Sequence, residues 1–446
     1  MNTLKAGFAK KNITPELGTA INGYTLLRYA EGVLDELEAV ALAVAVGDTK
    51  ALFISADICY VKRNILDICR KDISEATGVP VDSIIIACTH THTSPMVITD
   101  KGDDMVDRYI EFFKTQVKAV ACEAVADLTE AKMGYGVGEA KNISFVRRFV
   151  MKDGSIKTNP GVNNPDIVRS VGEVDERISV LRFDRVDGKR LVFANFATHP
   201  DVVGGSKISA DWPGLFRHTL EKTLDNTSCI IFNGAQGDVN HVNVHPKGGD
   251  FNDMFVDFDD VSRGYEHARH MAYVLVGGVL QCFQKVKYVD VDELICKEIT
   301  LKIASNMPKP EDMANAYRTV ELYESGRVDE IPFKGMMLTT VVAEARRMIR
   351  LEHGPEFFDL PMSAFRLGPV AFVTIAGEGF SDIGVELKKS DKYDLVVPIG
   401  LANDYQGYFP MMDSYEEGGY ESRSSNFKAG VAEHIIKEGK ALIESL

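Results

Sequence analysis

The chain has 446 residues, 45% of them apolar and 26% charged, a balance that fits a globular, enzyme-sized protein with a large buried core. Its 65 acidic and 50 basic side chains give a formal charge of −15. That charge excludes both the basic face a nucleic-acid binder needs and a polybasic lipid anchor.

The N-terminus Met1-Asn2-Thr3-Leu4-Lys5-Ala6-Gly7 has no apolar signal core. No uncharged run reaches the roughly 18 residues of a membrane helix. The seven cysteines form no C-x-x-C pair and several sit in apolar runs, so they read as reduced thiols. A cytoplasmic protein without a membrane span is expected.

Short β-branched runs alternate with segments of helical period, which predicts an α/β architecture of layered mixed β-sheets flanked by helices. In chain order, strands are expected at 51–55 and 84–88, then a helix over 104–127. Its stripe is Met105, Tyr109, Phe112, Phe113, Val117, Val120 and Ala121. Antiparallel strands follow at 132–137 and 177–183, the latter leading through the turn 186–189 to a strand at 191–196. The glycines Gly134, Gly136 and Gly138 lack the spacing of a dinucleotide fingerprint and belong to a strand or bulge. A helix should start at Asp211-Trp212-Pro213, with proline in its first turn. Further strands are expected at 229–232, 370–375 and 395–399, and helices over 262–285, 310–324, 336–352 and 426–445. No boundary is sharp, so residues 1–446 read as a single catalytic domain.

The polar residues gather where these strands end. The strand at 84–88 runs into Thr89-His90-Thr91-His92-Thr93-Ser94-Pro95, and that at 191–196 into Ala197-Thr198-His199-Pro200-Asp201. The strand at 229–232 runs into Asn233-Gly234-Ala235-Gln236-Gly237-Asp238, and that at 370–375 into Ala376-Gly377-Glu378-Gly379. The strand at 395–399 runs into Gly400-Leu401-Ala402-Asn403-Asp404-Tyr405. Ligands of α/β sheets bind at the carboxyl ends of strands, so one shared crevice accounts for all five. In an extended chain His90 and His92 would point the same way. With His199 and Glu378 they offer the nitrogen and oxygen donors of a catalytic zinc site, against the plainer reading of two histidines bonding loop backbone.

Other polar groups read less sharply. His267-x-x-His270 is expected on a solvated helix face, and Asp250 to Asp260 as a mobile acidic surface loop without calcium-loop spacing. Asp57 reads as a backbone cap or a supporting acid. The tyrosines between Tyr405 and Tyr420, interleaved with glycine, are either half-buried packing or donors to a developing oxyanion. There is no G-x-S-x-G elbow and no P-loop.

In their order along the chain, these motifs resemble the neutral/alkaline non-lysosomal ceramidase family, zinc-dependent amidases that cleave N-acyl-sphingosine. The resemblance runs from Ala6-Gly7-Phe8 and Asn12-Ile13-Thr14-Pro15 to about Asn426. It is most specific at Thr89 to Pro95, Asn233 to Val239, Gly377-Glu378, Asn403-x-Tyr405-x-x-Tyr408 and Gly419-Tyr420-Glu421. It implies Zn2+ held by His90, His199, Glu378 and Tyr408. It further implies His92 beside the scissile amide, Tyr420 on the transition-state oxygen, and an active-site arginine at Arg147 or Arg148. Asp211, Asp238, Asn240 and Tyr405 are expected around this centre.

Two departures stand out. The family's glycine-aspartate-x-serine-proline-asparagine stretch is here Gly237-Asp238-Val239-Asn240-His241-Val242, so the serine sometimes proposed as nucleophile is Asn240. The C-terminal immunoglobulin-like domain of typical members is expected to be absent from 1–446. The expected function is zinc-dependent hydrolysis of an N-acyl amide by metal-activated water, on a small-molecule or lipid-like substrate, with the oligomeric state left open. The alternatives are an amidase or esterase for a small soluble substrate such as an acylated sugar, and a non-catalytic metal-binding relative.

Overall fold

Strand Glu38–Val46 shows how the layers arise. Successive side chains of a strand point to opposite faces. Here Ala39, Ala41 and Ala43 enter one buried cluster while Val40, Leu42 and Val44 enter another. A strand buried on both faces needs a layer on each side. The computed structural model, which describes residues 3–99 and 102–446, supplies both.

Among the described residues nine strands form the larger sheet. Its order is Thr227–Asn233, Arg190–Phe196, Arg177–Arg185, Thr129–Glu139, Leu4–Asn12, Glu38–Val46, Thr49–Ala56 and Ile84–Cys88, with Lys287–Val289 paired on Thr129–Glu139. Helices Arg63–Thr77 and Asp104–Ala126 cover one half of its outer face, and Asp211–Thr223 and Tyr265–Phe283 the other. The inner face packs on a four-stranded sheet of Leu294–Ala304, Phe357–Leu367, Val370–Thr374 and Leu395–Ile399. Helices Ser381–Leu387 and Val431–Glu444 close the outer side of that second sheet. Phe53 sits between the sheets with its ring 4.8 Å from that of Phe372, 5.5 Å from Phe365 and 5.6 Å from Phe193. Burying each such ring contributes about 1.5–3 kcal/mol. The expected layered mixed sheets flanked by helices are what the chain forms.

The expected strands are all present, and the helices differ mainly at their ends. The segment 262–285 starts with a short strand, Ser262–Arg263, and the helix is Tyr265–Phe283. The last helix starts at Val431, because Gly430 takes a left-handed φ of 97° that no helix residue adopts. In helix Asp104–Ala126, Asp103 caps the first turn by accepting from the amides of Met105 and Val106. Its buried stripe adds Val106, Ile110 and Ala124 and leaves Phe112 at the rim.

Gly134, Gly136 and Gly138 lie on strand Thr129–Glu139, as expected; Gly136 and Gly138 form a seat for helix Tyr265–Phe283, and Gly134 lies against Val286 and Tyr288 beyond its end. A Cβ at Gly138 would stand 1.9 Å from the carbonyl oxygen of Gly278. Gly138→Ala should therefore force helix and strand apart and cost about 3 kcal/mol. A urea midpoint equal to wild type would refute this close approach.

The strands that feed the polar loops are joined in parallel pairs: Thr49–Ala56 with Ile84–Cys88, Arg190–Phe196 with Thr227–Asn233, and Val370–Thr374 with Leu395–Ile399. Two amides stitch the sheets together near these ends. Asn403 accepts from Ile86 N at 2.9 Å and donates to Ser363 Oγ at 3.2 Å. Asn195 donates to Pro398 O at 2.9 Å. Loops from both sheets are thereby held over one point. Among the described residues no helix is long and apolar enough to cross a membrane, and the seven cysteines are free.

Candidate metal centre

His90, His199 and Glu378 come from three different strand ends and meet in the interior, all buried. The Nε2 atoms of His90 and His199 stand 3.3 and 3.1 Å from Glu378 Oε2. The far side of each imidazole is fixed by the main chain. His90 Nδ1 lies 2.7 Å from the carbonyl of Cys59, and His199 Nδ1 lies 3.0 Å from that of Gln236. A carbonyl only accepts, so both Nδ1 atoms carry the hydrogen and both Nε2 atoms present a lone pair. Tyr405 Oη donates to Glu378 Oε1 at 2.7 Å, which leaves Oε2 as the inward oxygen.

Three acceptors thus face one another. His199 Nε2 and Glu378 Oε2 are buried and make no hydrogen bond. Such an arrangement is repulsive unless a positive charge sits among the three atoms, so the donor set fits a divalent cation. In the bare cluster His90 and Glu378 titrate as a pair, while burial and the Arg147 charge hold His199 below its ordinary value. Burial pulls His90 down, but the Glu378 carboxylate outweighs it and holds the imidazole well above its ordinary value. For Glu378, burial acts upward and His90 outweighs it, leaving the carboxyl well below its usual range. A second possible trio, Cys59, His90 and His92, shares His90. Cys59 Sγ approaches the Nδ1 of His90, at 3.7 Å, which the Cys59 carbonyl already occupies. The His90–His199–Glu378 trio is the better holder.

His90 and His92 converge, though not by the extended geometry expected. His90 has φ 78°, in the left-handed region, so the backbone turns at the first histidine. The rings end up nearly perpendicular, at 88°, with Nε2 atoms 3.3 Å apart. A buried non-glycine residue held this way costs about 1–3 kcal/mol, strain of the kind that clusters at functional sites.

Two tyrosines complete the wall. Tyr408 pairs with Glu378 in a short parallel bridge, and its ring lies 5.5 Å from that of Tyr420. Burial pushes both phenols above their ordinary value. Arg147 donates to Tyr408 Oη at 3.2 Å and to the Gly237 carbonyl at 2.7 Å, and it pairs with buried Glu421 at 2.7 Å. Arg148 turns away to Ser414 and Glu417, so of the two arginines it is Arg147 that faces the centre.

Asp211, Asp238 and Asn240 stand behind the site. Asp211 accepts from the amides of Val202 and Val203 and so ties down the loop that follows His199. Asp238 accepts from Ser381 N at 2.6 Å and anchors the helix that follows Glu378. Asn240 donates to Asn159 Oδ1 at 3.0 Å and accepts from Val242 N. Asp57 does bond backbone, at Glu38 N, and it also forms a buried two-point ion pair with Arg217.

The sequence did not single out the roles of Asp201 and Glu421. Asp201 Oδ1 lies 3.5 Å from His92 Nδ1, and the Asp201 carboxylate accepts from Nε and Nη2 of Arg263 and from the Tyr24 hydroxyl. Its place two residues after His199 was the available signal. Asp259, inside the stretch expected to be a surface loop, is buried against Arg263 because it neutralises that guanidinium.

A recess of about 50 Å³ lined by Tyr24, His92, His199, Tyr408 and Tyr420 opens beside a groove of about 660 Å³. They share Asn159, Met336 and Tyr420. The groove wall mixes Phe333, Met336 and Met337 with Lys157, Asp260, Glu417 and Arg423.

This arrangement of two packed mixed sheets between helices is a fold the chain shares with solved ceramidase structures. The whole chain superposes on the crystal structure of neutral ceramidase from Pseudomonas aeruginosa with a TM-score of 0.74 and 18% identity, spanning 75% of that chain. A structure described as ceramidase complexed with C2 matches with a TM-score of 0.72 and 17% identity, spanning 76% of that chain. No family model and no curated protein matches the sequence. At these identities what is shared is the fold.

Proposed function

We propose that the protein is a metal-dependent amide hydrolase of ceramidase type. The observation that carries this reading is the convergence of His90 Nε2, His199 Nε2 and Glu378 Oε2, three buried acceptors without a positive partner. His90, His199 and Glu378, with Tyr408 alongside, would hold a zinc ion. Such an ion supplies Lewis acidity toward water and toward a carbonyl oxygen.

The chain's own residues supply the rest. Tyr405 fixes the carboxylate so that one oxygen faces inward. Arg147, locked by Glu421 and the Gly237 carbonyl, holds Tyr408 in place by its hydroxyl. Tyr420 presents a neutral phenol at the recess wall, where it can donate to the oxygen that gains charge as an amide carbonyl is attacked. His92, between the centre and Asp201, is placed to pass a proton to the departing nitrogen. Asn240 is bonded to Asn159 and Val242 and provides no nucleophile, which favours direct attack by water.

Tyr420→Phe should keep the ion and lose about 10²–10³ in rate, the usual cost of deleting one oxyanion donor. Metal content and turnover measured on the same preparation check this, and unchanged turnover would remove Tyr420 from the mechanism.

The ceramidase neighbours favour a lipid-like N-acyl substrate. The charged groove residues Lys157, Asp260, Glu417 and Arg423 favour a second reading, a small soluble amide such as an acylated amino sugar. Comparing rates on a fluorogenic short-chain ceramide and on a panel of soluble N-acyl compounds decides between them. Bound metal with no turnover on either set would make the chain a non-catalytic relative.

A further inference from the structure

A separate cavity of about 380 Å³ shares no lining residue with the recess or the groove. Its wall brings His241 together with His267 and His270 from helix Tyr265–Phe283. Asn243, Asp250 and Glu266 line it as well. The sequence placed the histidines of this helix on a solvated face, but His267 is half-buried and its ring lies 5.7 Å from that of His241. The His270 ring lies 6.0 Å from His267.

The unpaired atoms define what the cavity can take. His241 is 1% exposed, and its Nε2 lies 2.7 Å from the Ser262 carbonyl. That nitrogen therefore carries the hydrogen, and Nδ1 is a lone pair. His241 Nδ1 is buried with no partner, and so is His267 Nε2. Asp250 takes two hydrogen bonds on Oδ2, from Asn243 at 3.1 Å and Lys247 N at 2.8 Å, which leaves its other oxygen available. Leaving a polar atom such as His241 Nδ1 dry and unpaired costs about 1–3 kcal/mol. Imidazole and carboxylate donors without thiolate suit zinc or nickel better than calcium or magnesium, which prefer all-oxygen shells.

We propose that this cavity is a second metal site, binding a divalent transition ion through His241 and His267, with His270 and Asp250 completing the shell. The donors are spread wider than at the first centre. Among the described residues, the trios whose ligand atoms lie within 4.8 Å of one another are those built on His90. A set spread this widely should bind more weakly and exchange faster than the first.

The test is metal stoichiometry of the full chain after equilibrium dialysis against zinc and, separately, nickel. Wild type is expected to hold two equivalents, and the double variant His267→Ala/His270→Ala one. Both substitutions lie on partly or fully exposed positions, and unchanged circular dichroism would confirm that the variant folds. His270→Gln alone should weaken the second equivalent about 10–100-fold, at least the loss seen when a ligand's supporting partner is removed. On a His90→Ala background, any ion that remains must disappear when His267 and His270 are also replaced. Equal metal content in wild type and the double variant would overturn the proposal, as would a cavity that fills with water only. Neither outcome bears on the hydrolase reading, which depends on the first centre.

Discussion

His90→Ala protein is expected to leave purification without the ion at the first centre and to lose hydrolysis by about 10³-fold or more. The ion's Lewis acidity is worth several kcal/mol, and each 1.36 kcal/mol is tenfold in rate. The substitution removes one of three converging acceptors and leaves His199 and Glu378 too few to hold zinc. Elemental analysis after dialysis against a weak chelator reads the result, and stoichiometric zinc at the first centre in the variant would refute the ligand assignment. Cys59→Ser is the matched control. It deletes the thiol of the competing trio but keeps the Cys59 carbonyl on His90 Nδ1, so it should retain both metal and rate. If Cys59→Ser were the variant that lost the ion, the Cys59–His90–His92 trio would be the true holder.

The largest effect on stability is expected at Asp57 and Arg217. The Arg217 guanidinium is buried against both Asp57 oxygens, with Nη1 3.0 Å from Oδ1, and also lies 3.3 Å from Glu38. This pair ties helix Asp211–Thr223, just beyond His199, to the end of strand Thr49–Ala56. Removing one partner strands a charge in the interior and should cost about 3–5 kcal/mol, so Asp57→Asn and Arg217→Met should each lower the urea midpoint sharply. Replacing both by apolar residues of similar volume should recover much of the loss. Metal retention measured below the unfolding transition should stay at the wild-type value, because neither residue faces the ion. Single variants within about 0.5 kcal/mol of wild type would show that the pair contributes little to stability.

Much of the fold was legible because its central strands are buried on both faces. Residues 84–88 and 395–399 read as strands from their unbroken apolar runs, and the polar residues after them read as the site because five such strand ends share one crevice. His90, His199, Glu378, Tyr405, Tyr408, Arg147 and Tyr420 all meet at one place. What could not be read depends on contacts distant in sequence. The pairing of Asp201 with Arg263 spans 62 positions, and that of Arg147 with Glu421 spans 274. The left-handed turn at His90 was hidden for another reason: alternation predicts an extended chain, and a strained backbone leaves no signature in residue type. His241 and His267 went unrecognised together because one lies on a loop and the other on a helix, and only packing brings them face to face.

The two carbonyls that hold His90 and His199 belong to the main chain, at Cys59 and Gln236. No side-chain replacement deletes a backbone oxygen, so the orientation of both imidazoles is insulated from point mutation at those two positions. The groove differs: Lys157, Met336 and Arg423 lie on its wall, where a substitution changes shape or charge. On the hydrolase reading proposed above, single substitutions in the groove would exchange one acyl or amine partner for another and leave these two main-chain contacts untouched. On that reading the orientation of the two imidazoles would be the fixed part of this architecture, and substrate range the part open to adaptation.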